Sequence, residues 1–185
     1  MSTCLSGGAI GSDTEFTNAA INLGKHRVIN YSFAGHDTLV PKKTIRILSA
    51  NELLEGEETL KIAAKYLQRN WSEYSGKPRK LIQRNFWQVK KTEAVYAVAN
   101  IKKDGRVSGG TGWAVTMAIL LGVPDIYTFS EGVWYRWFGT NDPKNGHWGK
   151  LIPPKPEVGT YTGIGSREIG EREVKAIWSL YEQGT

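Results

Sequence analysis

Three times in this chain an apolar run is followed by a glycine-rich turn and then by a helical pattern. The turns are Ser6-Gly7-Gly8-Ala9-Ile10-Gly11-Ser12-Asp13, Ser108-Gly109-Gly110-Thr111-Gly112 and Gly163-Ile164-Gly165-Ser166-Arg167. Strand, tight turn and helix in that order make the unit from which parallel sheets are built. Between the turns the same alternation continues. Arg27–Ser32 and Thr44–Leu48 read as strands, and Ala94–Ala99 as a central strand covered on both faces. Leu60, Ala63, Ala64 and Leu67 form a helical stripe, and Ile82, Asn85, Phe86 and Val89 another that begins after Pro78. Ile126–Phe129 is a further strand, and Val174, Ile177, Trp178 and Tyr181 mark a last helix ending at Gln183-Gly184-Thr185.

The pattern predicts a single α/β domain over residues 1–185 with a mostly parallel sheet. Residues from about 130 to 158 break the alternation. Gly132–Phe138 and His147–Ile152 are expected to pair as an aromatic-rich hairpin, followed by the stiff connector Pro153-Pro154-Lys155-Pro156. In a parallel sheet, ligands bind outside the carboxyl ends of the strands. All three glycine turns are predicted to lie there and to converge on one edge.

Backbone N–H groups at a helix start attract anions, and glycine lets a phosphate approach closely. The net charge of +6 also favours an anionic partner. Gly7, Gly8, Gly109, Gly110, Gly163 and Gly165 are therefore candidate phosphate-binding positions, with tight strand-to-helix packing as the alternative role. Ser6, Ser108, Thr111 and Ser166 can donate hydroxyl hydrogen bonds or cap helices. The guanidinium of Arg167, at a helix start, can fork onto a phosphate. The chain has seven tryptophans and eight tyrosines. Trp113, Trp134 and Trp137 are candidates for stacking on a base, with core packing as the alternative.

No stretch reaches the roughly 20 apolar residues needed to span a bilayer, and Met1–Leu5 lacks the basic start of a signal peptide. The lone Cys4 fits a reducing cytoplasm and reads as a buried thiol. His26, His36 and His147 show no metal-ligand spacing, and neither a metal nor a cofactor is inferred. The basic runs Lys77-Pro78-Arg79-Lys80 and Lys90-Lys91 read as a solvated face. Nucleic-acid binding would need them in one groove with aromatics.

The three turns together resemble the SLOG superfamily, which contains the DprA/Smf DNA-processing proteins and the LOG nucleotide phosphoribohydrolases. Ser6–Asp13 resembles the family's SGGAxGxD turn, Gly163–Arg167 its GxGSR turn, and Ser108–Gly112 its PGGxGT turn with serine for proline. Leu81-Ile82-Gln83-Arg84-Asn85 resembles the helix that carries a site arginine, which adds Arg84 to the candidates. The resemblance implies a Rossmann-like three-layer fold, a small nucleotide-type ligand and a homodimer or higher homo-oligomer. In the family GxGSR precedes SGGAxGxD; here it follows near the C-terminus. The chain thus resembles a circular permutation of that order, or one whose termini exchange between subunits.

The LOG enzymes carry a glutamate in the pattern PGGxGTxxE, and Thr116 holds the matching position. A hydroxyl cannot stabilise a cationic ribosyl centre as a carboxylate does. The expected role is therefore to bind a nucleoside phosphate, an ADP-ribose derivative or a signalling nucleotide, sequestering or sensing it. Phage and bacterial defence is one setting for such a protein. The alternatives are an N-glycoside hydrolase with a displaced carboxylate, and a single-stranded nucleic-acid binder. No catalytic residue is assigned. Asp13 is the first candidate for the carboxylate, with helix capping as its alternative, and Glu15 and Glu168 follow.

Overall fold

A computed structural model describes residues 1–157 and 159–182. Eight strands form one sheet: β1 (Thr3–Ser6), β2 (Arg27–Ser32), β3 (Ile45–Ile47), β4 (Ala94–Val98), β5 (Asp125–Ser130), β6 (Val133–Gly139), β7 (Gly146–Lys150) and β8 (Thr160–Gly165). Their order is β3-β2-β1-β8-β4-β5-β6-β7. The first six in that order run parallel, and β6 and β7 add an antiparallel meander at one edge. The helices are α1 (Ser12–Ala19), α2 (Ala50–Leu54), α3 (Glu57–Leu67), α4 (Gly76–Val89), α5 (Gly109–Leu120) and α6 (Glu171–Glu182).

Alternation along β4 explains the layers. Val95 and Ala97 pack with Leu60 and Leu67 of α3, Ile82 and Val89 of α4, and the apolar body of α5. Tyr96 and Val98 point the other way, against Phe16 of α1 and Ile177 and Leu180 of α6. Two helical layers thus enclose the sheet, which makes a Rossmann-like three-layer α/β fold. Helix α5 is buried from Thr111 to Ile119 and packs against both α3 and α4. A helix that is apolar all round belongs in such a place.

Several local expectations are corrected. Helix α4 starts at Gly76, and Pro78 sits in its first turn, where no backbone N–H is needed. Thr44 closes a 3₁₀ turn, so β3 begins only at Ile45. Helix α1 runs into a π-helical turn over Ala20–Gly24, and Lys25 takes the left-handed conformation. The hairpin is a continuation of the sheet, because β6 pairs directly with β5. The expected helix end at Gln183-Gly184-Thr185 lies outside the described residues. Among the described residues no helix is long and apolar enough to cross a membrane.

Candidate functional site

Because β1, β8 and β4 are parallel neighbours, the three glycine turns leave the same edge of the sheet. The first and third turns are stitched together. The Ser12 amide and hydroxyl both donate to the Ser166 carbonyl, at 3.1 and 2.9 Å. The Gly165 amide donates to Asp13 Oδ1 at 3.3 Å, and the Ser166 amide to the Val98 carbonyl at 2.8 Å. A cavity of about 570 Å³ opens between this seam, the start of α5 and one face of α4.

Asp13 sits inside α1, one residue beyond its start, and does not cap it. Its side chain instead turns to Arg84 of α4, whose Nη1 donates to Asp13 Oδ2 at 3.3 Å. The two residues are 2% and 4% exposed. Burial raises the Asp13 pKa and lowers that of Arg84, each against the pull of its partner. Desolvation therefore outweighs the attraction within the pair. Arg84 Nε is buried with no hydrogen-bond partner, although the residue borders the cavity. A Cβ on Gly7 would fall 0.9 Å from Arg84 Nη1, so glycine there makes room for the guanidinium.

The opposite wall is the start of α5. Ser108 gives no side-chain cap, which leaves the first amides of the helix without one. Their carbonyls are held from outside: Arg69 Nη1 donates to Gly109 O at 2.9 Å and Asn85 Nδ2 to Gly110 O at 3.3 Å. Gly109 has φ +65°, a conformation that favours glycine. Gly110 has no such need, and a Cβ there would meet nothing within 4 Å. Packing gives no reason for glycine at that position.

Lys77 and Arg167 also border the cavity, with Asp37 and Glu168 as the further carboxylates. Lys77 Nζ lies 3.8 Å from the exposed Asp37. His36 registers the resulting field. Its pKa is pushed down to about 4, first by burial and then by Arg84, Lys77 and Arg167. Its Nδ1 lies 2.8 Å from Ser32 Oγ, and its ring stacks on Phe33.

Nine of the residues predicted from sequence border the cavity: Asp13, Arg84, Gly109, Gly110, Thr111, Gly165, Ser166, Arg167 and Glu168. Ser6, Gly7, Gly8, Ser108 and Gly163 do not. Ser6 is buried and donates to the Gly163 carbonyl at 2.6 Å, while Gly163 lets Phe16 of α1 lie on β8. Gly8 has φ +64° and packs near Val40. The tryptophans are elsewhere. Trp113 is fully buried between Trp71 and Tyr74, Trp134 packs on Phe129 and Tyr96, and Trp137 packs on Trp148. Thr116, expected from the resemblance to stand at the glutamate position, is buried within α5 and away from the cavity lining.

His36, Lys77 and Asn85 are site residues that the sequence reading did not assign. Lys77, Leu81, Arg84 and Asn85 follow i, i+4, i+7, i+8 along α4, so one face of that helix carried the signal. His36 lies just beyond the carboxyl end of the parallel strand β2, the edge where ligands of parallel sheets bind in general. Among the described residues no group of three or more His, Cys, Asp and Glu side chains is placed to hold a metal ion. No protein-family model, no curated protein and no solved structure matches this chain.

Proposed function

We propose that the protein binds a small phosphorylated nucleoside in the cavity at the carboxyl edge of its sheet. One observation carries this reading: the buried, incompletely partnered Arg84 shares a cavity with the uncapped, side-chain-free start of α5. A phosphate placed between them would gain a charge-assisted bond and helix N-terminal amides together. Arg167 and Lys77 supply further positive charge, and Ile10, Leu81, Ile82 and Ile164 supply apolar surface for a base or ribose. The volume of about 570 Å³ suits a ligand of that size.

Binding without turnover is the reading we favour. Both oxygens of Asp13 are engaged, Oδ1 by Gly165 and Oδ2 by Arg84. A carboxylate so held is badly placed to activate water. The hydrolytic alternative draws on the raised pKa of Asp13 and on Glu168 at the cavity. Release of free base that disappears in Asp13→Asn would establish it. The basic runs beside α4 give little support to a nucleic-acid groove. Arg79 pairs with Glu57 and lies 4.1 Å over the Trp71 ring. Lys90 pairs with Glu55 at 2.8 Å and lies 3.3 Å over Trp87.

The reading as a permuted SLOG-like chain is supported by the place of β8 beside β1, which sets the strand of the GxGSR-like turn next to that of the SGGAxGxD-like turn. A homodimer or higher oligomer in the cytoplasm is part of that reading, and light scattering tests the assembly. Titration calorimetry against nucleoside mono-, di- and triphosphates and ADP-ribose tests the ligand. Binding that Arg84→Met weakens about tenfold or more is expected from the loss of one charged hydrogen bond. No heat at millimolar ligand would sink the proposal.

A further inference from the structure

A second cavity, of about 660 Å³, lies on the same sheet edge beyond the carboxyl ends of β4 and β5. It shares no lining residue with the first. One wall is the turn Ile101–Gly105, a second is Tyr66 of α3, and the third is the β6–β7 hairpin. Side chains of Tyr135, Trp137 and Trp148 fall on one face of that hairpin, since Trp137 pairs with Trp148 and Tyr135 with Lys150.

The rings are held in position. Trp148 Nε1 donates to the Gly105 carbonyl at 2.9 Å, and Trp137 Nε1 to the Thr140 carbonyl at 3.4 Å. The two ring centroids are 5.5 Å apart. A Cβ on Gly146 would fall 2.3 Å from Trp137 Cζ2, so the facing strand yields space to that indole. Both indoles border the α3–α5 core on one side and the cavity on the other. Their N–H groups are already bonded; Trp137 is buried behind Trp148, and half-buried Trp148 and Tyr135 carry the π surface open to a ligand.

Charge at this cavity is of one dominant sign. Lys102, Lys103 and Lys144 line it and are exposed, and none has an ion-pair partner among the described residues. Asp104 is already engaged by Arg106 through Nε at 2.9 Å and Nη2 at 2.5 Å. Glu131 is the remaining carboxylate of the lining. Fixed aromatic surface beside unpaired ammonium groups is the chemistry that takes a nucleobase and its phosphate.

We propose that this cavity is a second nucleotide site, with the base against Tyr135 and Trp148, the latter backed by Trp137, and the phosphate on Lys102, Lys103 and Lys144. The ligand is either a free nucleotide or one nucleotide of a single strand. The site stands independently of the first cavity and of the function proposed for it.

The test uses the full chain carrying Asp13→Asn and Arg84→Met, which is expected to weaken binding at the first cavity. The indole N–H signals are followed by ¹⁵N NMR, with Trp137→Phe and Trp148→Phe providing their assignment. Probes are adenosine monophosphate and a short 5′-phosphorylated oligothymidylate. The Trp137 and Trp148 signals are expected to shift with at least one probe. Lys102→Glu, Lys103→Glu and Lys144→Glu together should weaken that binding about tenfold or more while the fold is retained. Shifts with the mononucleotide identify a free nucleotide, and shifts with the oligomer alone identify a strand. For the strand, affinity should fall as salt rises, and the lysine variant should flatten that dependence. Unshifted indole signals with both probes at millimolar concentration overturn the proposal. So does binding that the three lysine substitutions leave unchanged.

Discussion

Asp13 and Arg84 hold opposite charges 3.3 Å apart in a setting nearly free of water. Such pairs cost much to break and little to replace together. Asp13→Asn is expected to lower unfolding free energy by about 3–5 kcal/mol, because Arg84 is left as a lone buried charge. The double change Asp13→Asn with Arg84→Met should return stability close to the starting value. Urea denaturation checks both. The pH dependences of Asp13 and His36 oppose each other. The folded state raises the Asp13 pKa, so its contribution favours folding at acid pH and is lost as pH rises through that value. His36 is depressed from 6.5 to about 4, so the unfolded chain binds its proton first. Its contribution is full above pH 6.5 and is lost as pH falls toward 4. In His36→Gln this loss should disappear from denaturation midpoints measured across that window. A bound phosphate should also raise the His36 pKa, visible in its ring proton shifts during an NMR titration.

At the scale of the element, the glycines of α5 and of the first turn separate packing from binding. Gly110→Ala adds a methyl to open space on a helix, so stability should hold or rise by about 0.5–1 kcal/mol. On the proposed function nucleotide affinity should fall, because the methyl would project into the cavity lining. Gly112→Ala is the opposite case. Its Cβ would lie 2.1 Å from the Val107 carbonyl, so thermal stability should drop. Gly7→Ala should displace the Arg84 guanidinium and weaken binding through it. Melting curves with and without nucleotide distinguish these outcomes.

Much of this scale was legible beforehand. The strand-turn-helix repeats located β1, β4, β8 and their turns because glycine and apolar periodicity are local signals. What escaped was set by tertiary contact. Asp13 has the composition of a cap, yet it turns to a partner 71 residues away. The face of α4 that carries Lys77 and Arg84 was visible as spacing, but only the fold places this face along the cavity at the carboxyl edge of the sheet. Trp113, Trp134 and Trp137 carried no local mark of which surface they would meet.

For the whole molecule, Cys4 is a built-in reporter. It is fully buried on β1, between β2 and β8, and burial pushes its thiol pKa up to about 12. Neither exposure nor thiolate is available in the folded state. Alkylation of Cys4 should therefore track opening of the sheet centre, and added nucleotide should slow it in proportion to the stability gained. A rate equal to that of a free thiol in native buffer would contradict the burial.

The central place of β8 also has a consequence for how the chain is made. Strand β8 joins β1 to β4, yet it is the last strand in sequence. During synthesis the β1–β3 portion and the β4–β7 portion must wait, each with an unpaired edge, for the residues that unite them. Thr3 finally pairs with Thr160, a contact across almost the entire chain. Such closure is slow, and the waiting edges invite association with other chains. A ribosome-bound chain halted after Lys150 should expose β1 and β4 to protease, and release of the remaining residues should protect both at once.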